Sequence, residues 1–229
     1  MNSPAPVRWA LSTAAGKDAT LALHRARAAG LDVQFALCLF DRDTERVRFH
    51  GTPVALVEAH AEALGMRLLA LPTSPDDFEA VFLGALARLS ELGAGGVVFG
   101  NVHLADVRAW YEERTVAAGL RHLEPLWGDP PADLVREVVR LGYRARVVSV
   151  DLEQGDGAWL GRDLDPRLVG EIEARGADPC GERGEYHTFV WDGPMFAAPV
   201  PVQPGGVVEG EGHRMVHLSM ARISRSGPG

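Results

Sequence analysis

Val7-Arg8-Trp9-Ala10-Leu11-Ser12-Thr13-Ala14-Ala15-Gly16-Lys17-Asp18-Ala19-Thr20-Leu21-Ala22-Leu23 reads as a strand, a loop of small residues and the opening of a helix in one run. Val7–Leu11 is a short apolar stretch. From Lys17 to Ala29 the leucines and alanines favour a helix, and Gly30 stops it. Small loop residues let backbone N–H groups approach an anion, a helix N-terminus adds partial positive charge, and Lys17 adds a full one. Together these are a recipe for holding phosphate. A P-loop needs glycine five positions before the Gly-Lys pair and Ser or Thr after it. Leu11 and Asp18 stand there instead, and no G-x-G-x-x-G dinucleotide fingerprint is present. An ordinary strand-helix turn with a solvated Lys17-Asp18 pair stays open on the residues alone.

Outward from this stretch the chain alternates strands and helices. Val33–Phe40 is almost continuously apolar, as expected of a strand covered on both faces, and Asp41–Arg48 is a charged loop or small hairpin. Pro53 opens a helix closed by Gly65, Met66–Leu71 is a strand and Pro75–Leu92 a helix. Gly95–Phe99 is a buried strand and Leu104–Ala118 a helix before Gly119. Repeated β-α units predict an α/β fold, a Rossmann-like parallel sheet with helices on both faces, whose ligands sit beyond the carboxyl ends of the strands. Beyond Trp127 the texture changes. Gly128-Asp129-Pro130-Pro131 is a linker or a helix cap, followed by a helix over Ala132–Leu141 and a strand over Arg144–Leu152. A helix over Pro166–Arg175, a strand over Glu185–Val190 and a hairpin over Val207–Ile223, turning near Glu211-Gly212, complete the chain. We expect a nucleotide-type domain over residues 1–127 and a smaller C-terminal α+β domain over 128–229.

Composition narrows the class. Of 229 residues, 46% are hydrophobic and 24% charged, which excludes a disordered or fibrous protein. The net charge of −8 argues against a broad polyphosphate-tracking surface, so nucleic acid is not expected as a partner. Cys38 and Cys180, far apart and outside any CxxC pair, support neither a disulfide framework nor a zinc site. No apolar run approaches bilayer length and Met1–Pro6 lacks a signal pattern, so the expected location is cytoplasmic and no membrane is expected as a partner.

A second motif, Pro179-Cys180-Gly181-Glu182-Arg183-Gly184-Glu185-Tyr186-His187-Thr188-Phe189-Val190, spaces two carboxylates with glycines and ends in His-Thr as a strand begins. Strand alternation puts Glu185 and His187 on one face and Tyr186 and Thr188 on the other. A carboxylate beside an imidazole can hold a cation, orient the ring or shuttle a proton. The alternative is a glycine-rich turn carrying surface carboxylates.

Ala14-Ala15-Gly16-Lys17-Asp18-Ala19 aligns with the pyrophosphate-loop pattern Ser-Gly-Gly-Lys-Asp-Ser in its last glycine, lysine and aspartate. With Phe49-His50-Gly51-Thr52-Pro53, Phe99-Gly100-Asn101-Val102-His103, Leu123-Glu124-Pro125-Leu126-Trp127 and the Gly-Glu-x-Gly-Glu-Tyr-His-Thr-Phe block, the chain resembles the diphthine–ammonia ligase-like ATP-binding family. That family is a branch of the N-type ATP pyrophosphatases within the adenine nucleotide alpha-hydrolase-like (HUP-type) fold. The resemblance implies an enzyme that uses ATP and Mg2+ to adenylate an unidentified carboxylate, which ammonia then amidates to release AMP. It implies nucleotide contacts at Ala14, Ala15, Gly16, Lys17, Asp18, Ala19, His50, Gly100 and Asn101, with Asp18 positioning the metal. Catalytic roles are expected for Lys17, Asp18, Glu182, Glu185 and His187, and substrate contacts at Glu124, Glu182, Glu185, His187 and Thr188.

The chain departs from the pattern where Ala14, Ala15 and Ala19 replace a serine, a glycine and a serine. Each missing hydroxyl removes a hydrogen bond to charged phosphate worth roughly 1.5–3 kcal/mol. Ala15 adds a methyl where φ is expected to be positive. A catalytically weakened nucleotide-binding protein and a tRNA-modifying ATP pyrophosphatase are therefore the alternative functions, and a homo-oligomer is left open. Arg108 could reach a phosphate, Trp127 is expected in packing, Cys38 reads as a small hydrophobe, and the His213–His217 pair lacks a third metal ligand.

Overall fold

The computed structural model describes residues 7–210 and 212–221. Met1–Pro6, and Glu211, Arg222 and Ile223 of the expected hairpin, lie outside the described residues. Five parallel strands, β1 (Arg8–Ser12), β2 (Asp32–Asp41), β3 (Arg67–Thr73), β4 (Ala94–Val98) and β5 (Arg121–Leu123), form one sheet in the order β3-β2-β1-β4-β5. Helices α1 (Lys17–Ala28), α2 (Val54–Ala63), α3 (Phe78–Glu91) and α4 (Ala105–Ala117) make the crossovers. Strand order reverses between β1 and β4, so the loops that leave these two strands part at a crevice. This is the expected parallel α/β sheet. Strand β5 was not anticipated: Arg-His-Leu carries no apolar run, and the segment pairs only because β4 offers it an edge.

The rest of the described chain builds an antiparallel sheet, β7-β6-β9-β8, from β6 (Arg144–Asp151), β7 (Tyr186–Asp192), β8 (Val202–Gly210) and β9 (His213–Met220). Helices α5 (Pro131–Arg140) and α6 (Pro166–Arg175) accompany it. Pro131 and Pro166 both open helices where a missing N–H costs nothing, and Asp165 caps α6 by accepting from the Leu168 N–H at 2.7 Å. The Gly128–Pro131 stretch is thus the entrance to a helix.

One hydrophobic cluster runs from Leu21, Leu23 and Ala26 of α1 through Leu134 and Val138 of α5 to Val147, Trp159, Ile172 and Tyr186. The second sheet is therefore packed on the first helix. Arg25 of α1 reinforces this contact, reaching Asp129 at 2.6 Å and Glu137 at 2.5 Å. Closer to the strand ends, the Val190 N–H donates to the Ala15 carbonyl at 2.9 Å and the Lys17 N–H to Thr188 Oγ1 at 3.0 Å. These two bonds fasten β7 to the loop after β1.

His60 of α2 is fully buried, with Phe189 and Phe196 rings at 5.9 and 5.2 Å, and neither ring nitrogen finds a hydrogen-bond partner among the described residues. Burial pushes its pKa down to about 3.

Two stability predictions follow from these contacts. Thr188→Val should cost about 1–3 kcal/mol by stranding a buried N–H, with Thr188→Ser retaining most of it, as read from denaturant midpoints at constant slope. Between an unfolded pKa of ~6.5 and the folded value of about 3, the unfolded state binds the extra proton at His60. Stability should therefore fall as pH drops through that window, by up to ~1.4 kcal/mol per pH unit from this residue. His60→Leu should flatten the slope by that amount in unfolding titrations between pH 6 and 4.

Candidate active site

The loop after β1 is shaped by its own hydrogen bonds before any ligand is considered. Thr13 Oγ1 accepts from the Ala15 N–H at 2.8 Å, and Ala15 takes φ +61°. Its methyl is buried with Cys38, Val47 and Leu56. The expected nucleotide contact at Ala15 is corrected by this geometry. The methyl points into the core, the N–H and carbonyl are both engaged, and Ala15 does not line the cleft. Thr20 does not replace a lost hydroxyl either, because its Oγ1 donates to the Gly16 carbonyl at 2.8 Å.

Helix geometry leaves the first N–H groups of α1 without intrahelical partners. That of Lys17 goes to Thr188, while that of Gly16 has no backbone partner among the described residues and lies beside a cleft of about 310 Å3. Ala14, Ala19, His50, Gly100, Asn101, Glu182, His187 and Thr188 also line this cleft, so most of the expected nucleotide residues converge there. Gly100 is required by packing. A Cβ at this position would lie 2.7 Å from the Ala19 nitrogen, so the loop after β4 can press on α1 only through glycine.

Lys17 is 2% exposed, which rules out the solvated Lys-Asp pair. Its Nζ donates to Asp18 Oδ2 at 2.8 Å and to the Cys180 carbonyl, and lies 4.8 Å from the centre of the Tyr186 ring. Burial by itself would lower the pKa of this ammonium. Burial is the largest single effect, but Asp18, Tyr186 and Cys180 together outweigh it, so Lys17 is held charged above the ordinary lysine range. Asp18 is pushed up, chiefly by burial.

Opposite Lys17, the 178–185 loop is sewn to the loop after β4. His103 Nε2 meets Asp178 Oδ2 at 2.5 Å, and the Val102 N–H donates to Glu182 Oε2 at 3.3 Å. Burial first, and Asp18 next, raise the pKa of Glu182 above the usual carboxylate range.

Glu185 departs from its expected role. It precedes β7 rather than belonging to it, and its carboxylate accepts from the N–H groups of Asp178 and Arg183, both at 3.1 Å. It organises its own loop and does not pair with His187. That imidazole instead lies 4.5 Å from the ring of His50 and 6.3 Å from Phe49. The Thr188 carbonyl, 3.3 Å from His50 Nδ1, can only accept, so Nδ1 carries the proton and Nε2 is left as an acceptor. Burial pushes His50 down to about 4 and His187 well below its usual value, so both rings are neutral.

Glu124 is corrected as a substrate contact. It does not line the cleft, and its carboxylate lies behind Asn101. Arg108 faces Glu124 at 3.4 Å and stacks over Trp127 at 4.6 Å, away from the cleft. His213 lines a second recess of about 310 Å3, while His217 is exposed. Among the described residues, no three His, Cys, Asp or Glu side chains gather as a metal cage. The roles of Tyr186, the Cys180 carbonyl and Asp178 escaped sequence reasoning. Only the alternation that set Tyr186 beside Thr188 hinted at the first.

Comparisons with known proteins bear on this site. Residues 7–122 match the family model for the diphthamide synthase N-terminal domain, and residues 130–225 that for the C-terminal domain. A mouse diphthine--ammonia ligase is 27% identical over 162 residues, 69% of this chain and 55% of the relative. The human protein of the same name is 34% identical over 93 residues, 39% of this chain and 35% of the relative. The chain spans about half or less of the length of these relatives. The solved U34-tRNA thiolase NcsA from Methanococcus maripaludis, with its 4Fe-4S cluster, has a TM-score of 0.38 at 13% identity, covering 78% of this chain and 70% of that one. Matched by both domain models in order along its length, the chain belongs to the diphthamide synthase family.

Proposed function

We propose that the chain is an ATP-dependent amide ligase, adenylating a carboxylate and amidating it with ammonia. The observation that carries this reading is the buried, charged Lys17 beside the Gly16 amide, at a crevice between two strand ends. The name shared by the mouse and human relatives supports it.

In this mechanism the carboxylate oxygen attacks the α-phosphorus and the bond to the bridging oxygen breaks. Lys17 and the loop amides meet the charge that builds on the departing pyrophosphate. Mg2+ fits the donors present. A hard cation of this size is commonly held by one or two carboxylates and the ligand's own phosphates, and Asp18 at the edge of the cleft could supply one. Bound there, it would neutralise phosphate charge. A recess of about 180 Å3 beside the cleft, with apolar walls at Leu37, Leu39, Val47 and Phe82 and polar ones at Ser12 and Thr13, suits a flat base with polar edges.

Glu182 takes a proton from ammonium, and the free ammonia attacks the acyl-adenylate carbonyl and expels AMP. A second proton leaves to solvent. The recess lined by Phe49, Arg183, His187 and His213 joins the cleft at Glu182 and His187, which supports acceptor entry from that side. Neutral His50 and His187 leave the acceptor carboxylate without a competing charge.

Incubated with ATP, Mg2+, ammonium and a carboxylate acceptor, the protein should release AMP and pyrophosphate in step with amide. ADP and phosphate as products would overturn the reading, and ATP binding with no turnover would favour a nucleotide-binding protein. Lys17→Ala should weaken ATP binding by about 10- to 100-fold, the worth of a charge-assisted hydrogen bond, by calorimetry. Ala14→Ser, restoring a hydroxyl on the cleft wall, should tighten ATP by about tenfold.

A further inference from the structure

Behind the cleft wall lies a buried polar cluster that the chemistry above leaves unused. Glu124, at the end of β5, has a side chain only 2% exposed, and that of His122 is 3% exposed. Glu124 Oε1 accepts from Asn101 Nδ2 at 2.8 Å and faces His122 Nε2 at 2.9 Å, while Oε2 lies 3.4 Å from Arg108 Nε. His122 is held in turn by stacking on Phe99 at 4.6 Å.

A carboxylate can only accept hydrogen bonds. It therefore selects the NH2 face of Asn101 and turns the other end of that planar amide, the carbonyl Oδ1, away from itself. Asn101 lines the cleft, and its neighbour Val102 holds Glu182. A fixed acceptor beside Glu182 suits a nucleophile that arrives carrying several N–H donors. A flipped amide would present donors to donors.

We propose that Glu124 is a positioning residue, which with His122 and Arg108 locks the Asn101 amide so that its carbonyl receives the N–H groups of ammonia. The proposal rests on the ligase reading for its substrate but not for the lock, so two measurements separate them. In 15N spectra the Asn101 side-chain NH2, assigned by its loss in Asn101→Ala, should be protected from exchange in the wild-type protein and unprotected in Glu124→Ala. An unprotected wild-type signal overturns the lock whether or not the enzyme turns over.

In the amidation assay Glu124→Ala should raise the KM for ammonium at least tenfold while the Kd for ATP moves less than twofold. Glu124→Gln keeps an acceptor oxygen for Asn101 and His122 and should stay within threefold of wild type. In an Asn101→Ala background, Glu124→Ala should add less than twofold. Equal losses in ATP and ammonium affinity, or additive effects of the two variants, would reduce Glu124 to a structural role and overturn the proposal. Failure of wild-type protein to form amide at all, with the NH2 still protected, would count against the ligase reading and the assignment of ammonia, and leave the lock standing.

Discussion

A charged ammonium removed from water is costly unless charge and hydrogen bonds answer it on every side. Lys17 imposes that condition on this chain. Its answer comes from both halves of the chain: Asp18 on its own helix, the Cys180 carbonyl from the loop before β7, and the Tyr186 ring at the start of β7. The shared core between α1, α5 and β6 and the clamp of Arg25 on Asp129 and Glu137 hold those groups where the cation needs them. The cleft exists because this docking also brings the 178–185 loop over the ends of β1 and β4.

The alanines of the loop look different once this docking is seen. Ala15 adopts left-handed backbone torsions that glycine takes more easily, and its buried methyl partly offsets that strain. The hydroxyls that hold the loop in place come from Thr13 and from Thr188, a residue of the second sheet. Loop shape is thus maintained without the serines of the pyrophosphate-loop pattern. Read within the motif alone, the same three substitutions make a weakened site the alternative to the ligase, because the compensating threonines lie outside the motif.

Elements with strong local signals were legible in advance. Pro166–Arg175 is a helix over the expected residues because a proline opens it, arginine ends it and Gly176 follows in a left-handed conformation. The nearly unbroken apolar run of β2 announced a strand covered on both faces. Strand β5 was missed because it is three residues long with a polar middle. Glu185 was misread because alternation applies only inside a strand, and β7 begins one residue later. His122 offered nothing to read: a histidine in a short segment becomes part of a buried cluster only when β5 lies beside β4.

By itself the sequence determined the order of strands and helices apart from β5, the loop of small residues with its lysine and aspartate, and the His-Thr strand that faces it. Those features are written in backbone preferences and side-chain periods spanning a few residues. Tertiary structure decided which polar atoms are spent internally and which reach the cleft. Lys17 meets the Cys180 carbonyl across 163 positions and the Thr188 hydroxyl across 171. Contacts at that separation depend on how two sheets pack, and no local pattern carries that information.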